Sequence, residues 1–204
     1  MADVGLYMLK HPFRKLIGGL LPLCKNVSPN VISLLLLPVA IVTAWAYVWA
    51  VQYPALYLAG IVLLFLRMLV ATLDGLVAIT FQKTSPEGEL YNRITPEVAD
   101  LLLLGALFLS HPDEPVLGAL MLLTSWGITF FGMVGLVAGR PSQSVGPVGQ
   151  TDRLAALMVF SLLQYLSHKL GWGEDFMHWF FWWVIGGGML TIALRVFRTF
   201  RVRP

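Results

Sequence analysis

The chain has 204 residues, of which 57% are hydrophobic and only 12% are charged, and its mean hydropathy is +0.76. This composition excludes an ordinary soluble domain, and the single cysteine, Cys24, excludes an internal disulfide framework. Apolar runs of about 20 residues recur along the sequence, as they do in proteins that cross a membrane several times as helices. The composition therefore predicts an all-α integral membrane protein.

The first predicted element is an amphipathic helix within residues 1–30. The opening stretch, MADVGLYMLKHPFRKLIGGLLPLCK, mixes basic and apolar residues and shows no signal-peptide cleavage site. Such a segment is typical of a helix that lies on the membrane surface. The stretch NVSPN separates it from residues 31–204, for which we predict one domain, a bundle of six transmembrane helices. The predicted spans are 31–50, 55–81, 90–111, 115–138, 152–168 and 177–197.

Two helix-start signals precede or fall within the third span. Ser85 is a predicted N-cap followed by Pro86 at the first helical position. Thr95 and Pro96 form a second start of the same kind. If the deeper part of the span began there, Asp100 would lie close to the membrane surface.

Basic residues are distributed unequally between the loops on the two sides of the predicted bundle. One side holds both termini and the loops 82–94 and 139–151, and it collects nearly all lysines and arginines. The opposite side has one lysine and four acidic residues in its loops. The positive-inside rule therefore places both termini in the cytoplasm, with the protein in the cell (inner) membrane. Because basic tails beside a membrane are topology signals and suit anionic lipids, we expect membrane lipids and no nucleic acid as partners.

The second span carries charged residues where a spanning helix is normally apolar. Arg67, Ala71, Asp74 and Ala78 are spaced four, three and four residues apart, so they share one helical face. A carboxylate at the centre of a spanning helix costs about 2.5 to 3.5 kcal/mol, so its presence indicates a function or a partner. Gly75 lies beside this face and leaves room for a ligand or another backbone.

The third span has a polar face of the same kind. Glu89, Asn92, Pro96 and Asp100 are three or four residues apart, and Asp100 is followed at once by four leucines. Because consecutive spans are antiparallel neighbours, the two polar faces are predicted to meet near the cytoplasmic surface.

Two carboxylates and an amide at such a place suit a hard divalent cation that holds phosphate oxygens. Asp74, Asp100 and Asn92 are the predicted ligands, and an alternative is that an aspartate simply pairs with Arg67. Loop cations close to the predicted site are expected to share a bound anion. These are Lys83, Arg93, Arg140 and Arg153.

The stretches LDGLVA, GELYN and PEVAD resemble the signature of the CDP-alcohol phosphotransferase family, written DxxDGxxAR, eight residues, then GxxxDxxxD. Four positions fall on the family spacing: Asp74, Gly75, Ala78 and Gly88. The amphipathic start, the SPN stretch before the first span and the six predicted spans extend the resemblance to the whole chain.

Other signature positions differ. Ala71 stands at the first aspartate, Ile79 at the arginine, and strict spacing puts Asn92 and Pro96 at the third and fourth aspartates. A second alignment, in which the last aspartate is shifted by one helical turn, places Asp100 at that position. We favour the second alignment.

The resemblance implies an enzyme that transfers a phosphatidyl or phospho-alcohol group from a CDP-linked lipid donor, such as CDP-diacylglycerol, to an alcohol, and that releases CMP. It also implies a homodimer and two divalent ions, Mg2+ or Mn2+, as cofactor. Asp74 and Asp100 would be metal ligands, with Asp100 alternatively the general base, and Asn92 a neutral ligand. The residues expected to bind substrate are Gly75, Ala78, Gly88, Lys83, Arg140 and Arg153.

Two other readings of the sequence compete with the enzyme. A catalytically weakened or inactive relative, which binds lipid or nucleotide or accompanies an active partner, would also lose signature acids. A small transporter would explain the polar residues within spans, but the chain lacks interrupted helices in two matching halves.

Overall fold

In the computed structural model, residues 17–201 are described, and this part of the chain forms seven α-helices and no strand. The prediction of an all-α bundle is therefore confirmed. The helices are α1 (Pro29–Leu34), α2 (Leu36–Ala50), α3 (Ala55–Thr80), α4 (Pro86–Ser110), α5 (Pro115–Met133), α6 (Gln150–Leu170) and α7 (Phe176–Arg201), with two short 3-10 helices at Gly18–Cys24 and Val134–Ala138.

The described residues divide into two compact units, 17–110 and 111–201. The predicted boundary at residue 30 and the single domain after it stay predictions. Residues 1–16 of the predicted amphipathic segment lie outside the described residues, and the segment Gly18–Cys24 that follows is a 3-10 helix.

The first unit begins with a helix in two pieces. Ser28 is extended and Pro29 is the first residue of α1, where its missing N–H is not needed. The helix is interrupted at Leu35 before α2 continues to Ala50. Pro38 accounts for the interruption, because its ring cannot donate to the carbonyl four residues earlier and is crowded by it.

In the first unit, α1 and α2 pack against both α3 and α4. The cluster at the α1 end is apolar and includes small residues that let the helices approach closely. Its fully buried members include Leu36 and Ala40 from α2, Val77 from α3 and Ala99 from α4. This packing fixes the end of α3 that carries Asp74 against the start of α1.

Helix α4 runs without a break from Pro86 to Ser110, through Pro96. The predicted second start at Thr95 is therefore wrong, and the deeper part of α4 does not begin there. Pro96 removes one backbone hydrogen bond, but a helix with packed neighbours tolerates that loss. The first predicted start is confirmed, since Ser85 Oγ accepts the Gly88 N–H at 3.0 Å.

The second unit consists of α5, α6 and α7, with α7 packed against the other two. The loop before α6 is fastened to α7: Val148 N donates to Thr191 Oγ1 at 3.0 Å, and Arg195 Nε donates to the Val145 carbonyl at 3.0 Å. Gly146 in this loop has φ of 124°, and a Cβ there would lie 2.4 Å from Thr191. Only glycine suits this position.

Four helical segments of the described chain are long and apolar enough to cross a membrane: Pro29–Ala50, Ala55–Thr80, Pro115–Val137 and Phe176–Arg201. The other two predicted spans form α4 and α6, which are helices of 25 and 21 residues with more polar sequences. The structure thus supports a membrane protein, while the count of six spans stays a prediction.

Candidate functional site

A cavity of about 490 Å³ lies in the first unit, between the start of α1, the end of α3 and the start of α4. It combines polar side chains with small residues that leave its walls open. Its lining residues are Pro29, Ser33, Asp74, Gly75, Ala78, Ile79, Lys83, Thr84, Ser85, Pro86, Gly88, Glu89 and Asn92.

Asp74 is the buried acid of this cavity, with only 2% of its surface exposed. Ser33 Oγ donates to Asp74 Oδ2 at 2.6 Å, and the Gly75 N–H donates to Asp74 Oδ1 at 2.6 Å. Each carboxylate oxygen has two acceptor positions, so the carboxylate retains acceptor capacity after both bonds. The hydrogen bond from Ser33 fixes the orientation of Asp74 relative to α1.

Gly75 gives the cavity its open wall. A Cβ added at Gly75 would meet no atom within 4 Å outside its own helix and chain neighbours. A Cβ at Gly88 would lie 3.1 Å from Asn30 Oδ1 and 3.2 Å from Ser85 Oγ. Gly75 therefore leaves space for a ligand, whereas Gly88 permits the close approach of α1 and the start of α4.

Lys83 lines the cavity and also fastens the segment before α1. Its Nζ donates to the carbonyls of Lys25 and Val27 at 2.6 and 3.1 Å. An ammonium group has three donors, so these two bonds leave one for an anion. Lys83 is thus held at the cavity by backbone contacts.

The wall formed by α4 contributes Glu89 and Asn92. Glu89 Oε1 accepts a hydrogen bond from Arg93 at 2.7 Å, one helical turn away, and both side chains are exposed. Such a surface pair contributes little to stability. The cavity therefore brings Asp74 and Asn92 together, and it adds a second carboxylate, Glu89, at its exposed side.

Asp100, the other predicted acid, is not among the lining residues. Arg67 Nη2 donates to the Asp100 carboxylate and, at 2.9 Å, to the Pro96 carbonyl. Arg67 and Asp100 are 1% and 4% exposed. The contacts therefore favour the alternative interpretation for Asp100, an ion pair with Arg67. They do not favour the predicted convergence of Asp74 and Asp100 on one cation.

The predicted anion-binding arginines Arg140 and Arg153 belong to the second unit, where both bond to backbone carbonyls. Arg140 donates to the Thr199 carbonyl. Arg153 Nη1 donates to the Ser125 carbonyl at 3.2 Å, and Arg153 is 3% exposed. These bonds orient both guanidinium groups within the second unit.

The resemblance implies two divalent ions, and the donors at the cavity do not fit a pair. Within residues 17–201, no three histidine, cysteine, aspartate or glutamate side chains gather closely enough to hold a metal ion. One hard cation fits better. Mg2+ is usually held by one or two carboxylates, several waters and substrate phosphates, and Asp74 with Asn92 offers such a set.

Sequence reasoning missed Ser33 and did not assign Glu89 a role. Ser33 lies four residues after Pro29 on α1 and 41 residues before Asp74, so no spacing rule connects it to the acid. Glu89 was visible as part of the polar face of α4, and its position directly after Gly88 is the signal that pointed to the cavity.

No protein-family model and no curated protein matches the sequence. Solved structures do match. Mycobacterium tuberculosis phosphatidylinositol phosphate synthase PgsA1 with CDP-DAG bound has a TM-score of 0.69 and 16% identity, over 92% of this chain and 93% of that one. PgsA1 in complex with manganese and citrate gives a TM-score of 0.69 and 15% identity, over 92% and 88%.

The chain is therefore a helical membrane protein, and it shares the fold of a phosphatidylinositol phosphate synthase. This likeness agrees with the resemblance to the CDP-alcohol phosphotransferase family that the signature indicated, and at such low identity it establishes the shared fold.

Proposed function

We propose that the chain is a membrane phosphotransferase of the CDP-alcohol phosphotransferase family. It transfers a phosphatidyl or phospho-alcohol group from a CDP-linked donor such as CDP-diacylglycerol to an alcohol and releases CMP. The observation that carries the proposal is the cavity of the first unit, which gathers all four residues that keep the signature spacing. These are Asp74, Gly75, Ala78 and Gly88.

In this reaction the acceptor hydroxyl oxygen forms a bond to the donor phosphorus distal to cytidine. The bond from that phosphorus to the bridging oxygen breaks, CMP takes the electron pair, and the hydroxyl proton passes to a base or to water. A divalent ion, Mg2+ or Mn2+, supplies charge neutralisation at the pyrophosphate when bound. Asp74 and Asn92 would hold it.

The other lining residues position the donor. Gly75 leaves the space for the nucleotide, and the remaining N–H of Lys83 can bind a phosphate oxygen. Ser33 keeps the Asp74 carboxylate turned towards its working position. The cavity lies at the ends of α3 and α4 that join the basic segments, which the charge bias assigns to the cytoplasmic side.

The test is CMP release by the purified protein with CDP-diacylglycerol, Mg2+ or Mn2+ and a panel of alcohols that includes glycerol phosphate, inositol phosphate, serine and choline. We expect release with at least one acceptor, and loss of release in Asp74→Asn. Glu87→Gln is the matched control, because Glu87 is an exposed acid of α4 outside the cavity lining. Equal activity of Asp74→Asn and Glu87→Gln would contradict the proposal.

A second candidate is a non-catalytic relative that binds the CDP-linked lipid. Two observations favour it: the ion pair that occupies Asp100 and the loss, by strict spacing, of three signature aspartates. Binding of the donor that depends on Asp74, without CMP release for any acceptor, would identify this function.

A further inference from the structure

The ion pair between Arg67 and Asp100 has no part in the chemistry proposed above. Arg67 lies seven residues before Asp74 on α3, two helical turns away, so both residues follow the same face. Its guanidinium joins α3 to two positions of α4 that are one turn apart, the Asp100 carboxylate and the Pro96 carbonyl. Both charged side chains are almost completely buried.

We infer that Arg67 permanently supplies the positive charge that Asp100 needs, and that the protein binds one divalent ion per chain, through Asp74, instead of two. The inference rests on the proposed function, because it concerns the metal ion of the same site. An arginine side chain does not lose its proton in a protein, so Asp100 always faces a cation. A metal ion at Asp100 would have to displace that buried cation or approach it closely.

Repulsion between the guanidinium and a divalent ion would be strong in this environment. Arg67 and Asp100 lie in a helical interior with little exposed surface, where charges are screened far less than in water. Displacement of Arg67 would leave its charge buried without the Asp100 carboxylate, which is costly. Asp100 is thereby removed from the set of carboxylates that a metal can use.

The substitutions in the signature also favour one divalent ion per chain. Strict spacing places Ala71, Asn92 and Pro96 at three of the four aspartate positions, so Asp74 is the one signature carboxylate left. The Pro96 carbonyl accepts a hydrogen bond from Arg67. One carboxylate with the phosphates of a donor balances the charge of one divalent ion, whereas a pair would need the acids that this chain has replaced.

The test counts the Mn2+ ions bound to the full chain in detergent with CDP-diacylglycerol present, from the electron paramagnetic resonance signal of free Mn2+. We expect one ion per chain. Asp74→Asn should weaken binding by about 10-fold or more, since even changes outside the ligand shell cost that much. Asp100→Asn should leave the affinity unchanged. Two ions per chain, no bound ion, or equal losses in both variants would overturn the inference.

Asp100→Asn leaves Arg67 without its carboxylate and can impair folding, so a second variant is needed. Arg67→Met/Asp100→Leu removes both charges together, a replacement that buried ion pairs often tolerate. We expect one Mn2+ per chain with unchanged affinity, and a weaker site in the folded double variant would contradict the inference. CMP release from the same samples separates the two proposals: one Mn2+ site without release refutes the function alone, and two sites with release refute the inference alone.

Discussion

At the residue scale, the hydrogen bond from Ser33 to Asp74 orients the buried acid of the cavity. Ser33 is 2% exposed and donates to Asp74 Oδ2 at 2.6 Å, so it orients the carboxylate from a different helix. A hydrogen bond to a charged group contributes about 1.5 to 3 kcal/mol. Its loss affects Asp74 more than it affects the packing of α1, because serine and alanine differ by one oxygen.

We therefore expect Ser33→Ala to lower kcat/KM for CMP release by about 10-fold, which corresponds to about 1.4 kcal/mol. Thr72→Val is the matched control, because the Thr72 hydroxyl donates only along its own helix, to the Met68 carbonyl at 2.9 Å. Thermal unfolding of both variants checks that the fold is kept. If Ser33→Ala retained full activity, or if Thr72→Val lost as much, Ser33 would have no positioning role.

The sequence predicted part of this site and not the rest, for reasons that differ between residues. Asp74, Gly75 and Gly88 were predictable, because their spacing in the sequence is local and places them at the cavity once the helices form. The pairing of Arg67 with Asp100 depends on the register of α3 against α4 and on the reach of a long side chain, which spacing does not fix. The assignment of Asp100 as a metal ligand therefore stays a prediction, and the contact that the structure gives Asp100 is the ion pair with Arg67.

At the element scale, Gly60 of α3 lies directly against the ring of Tyr47 on α2. A Cβ there would lie 2.9 Å from two ring carbons of Tyr47, which is 1% exposed on α2. Tyr47 also packs edge-to-face with Tyr57, with ring centroids 6.1 Å apart. Movement of the Tyr47 ring would therefore disturb a second buried aromatic residue.

Gly60→Ala is expected to lower the free energy of unfolding by about 1 to 3 kcal/mol, the usual cost of inserting an extra carbon into a packed core. Gly105→Ala in α4 is the control, since a Cβ at Gly105 meets no atom within 4 Å outside its own helix and chain neighbours. Gly105→Ala gains the higher helix propensity of alanine and avoids a clash such as that with Tyr47. Unfolding in a mild detergent measures both, and an unchanged or raised midpoint for Gly60→Ala would refute the packing argument.

Helix positions were largely predictable, because hydropathy and the start signal at Ser85 and Pro86 are local. The break at Leu35 and the continuity of α4 through Pro96 were not. A proline within a helix ends it, kinks it or is tolerated according to the packing around it. The same residue type produces an interruption near Pro38 and an unbroken helix at Pro96.

At the scale of the whole molecule, two membrane arrangements differ in the number of helices that cross the bilayer. Six spans place residue 113 outside and residue 142 in the cytoplasm. If only the four most apolar segments crossed, these two positions would exchange sides while both termini stayed together. The charge bias favours six spans, because Asp113 and Glu114 are acidic and the loop with residue 142 carries Arg140.

Labelling of single cysteines decides between the two arrangements, since Cys24→Ser leaves a chain without cysteine. We expect a membrane-impermeant maleimide added to intact cells to label Asp113→Cys and to reach Ser142→Cys only after the membrane is opened. Both positions are exposed, so access reports the side of the membrane. The reverse pattern would show four spans.

The ion pair between α3 and α4 also bears on how the chain enters the bilayer. Transferred alone, each helix would carry an uncompensated charge into hydrocarbon, at about 2.5 to 3.5 kcal/mol for a central position. The charges of Arg67 and Asp100 neutralise each other only when the two helices enter the bilayer together as a hairpin. The short connection from Phe81 to Ser85 allows this. If α4 crosses the membrane as predicted, we expect α3 and α4 to integrate cooperatively, and we expect the Arg67→Met/Asp100→Leu chain, which lacks both charges, to insert them one after the other.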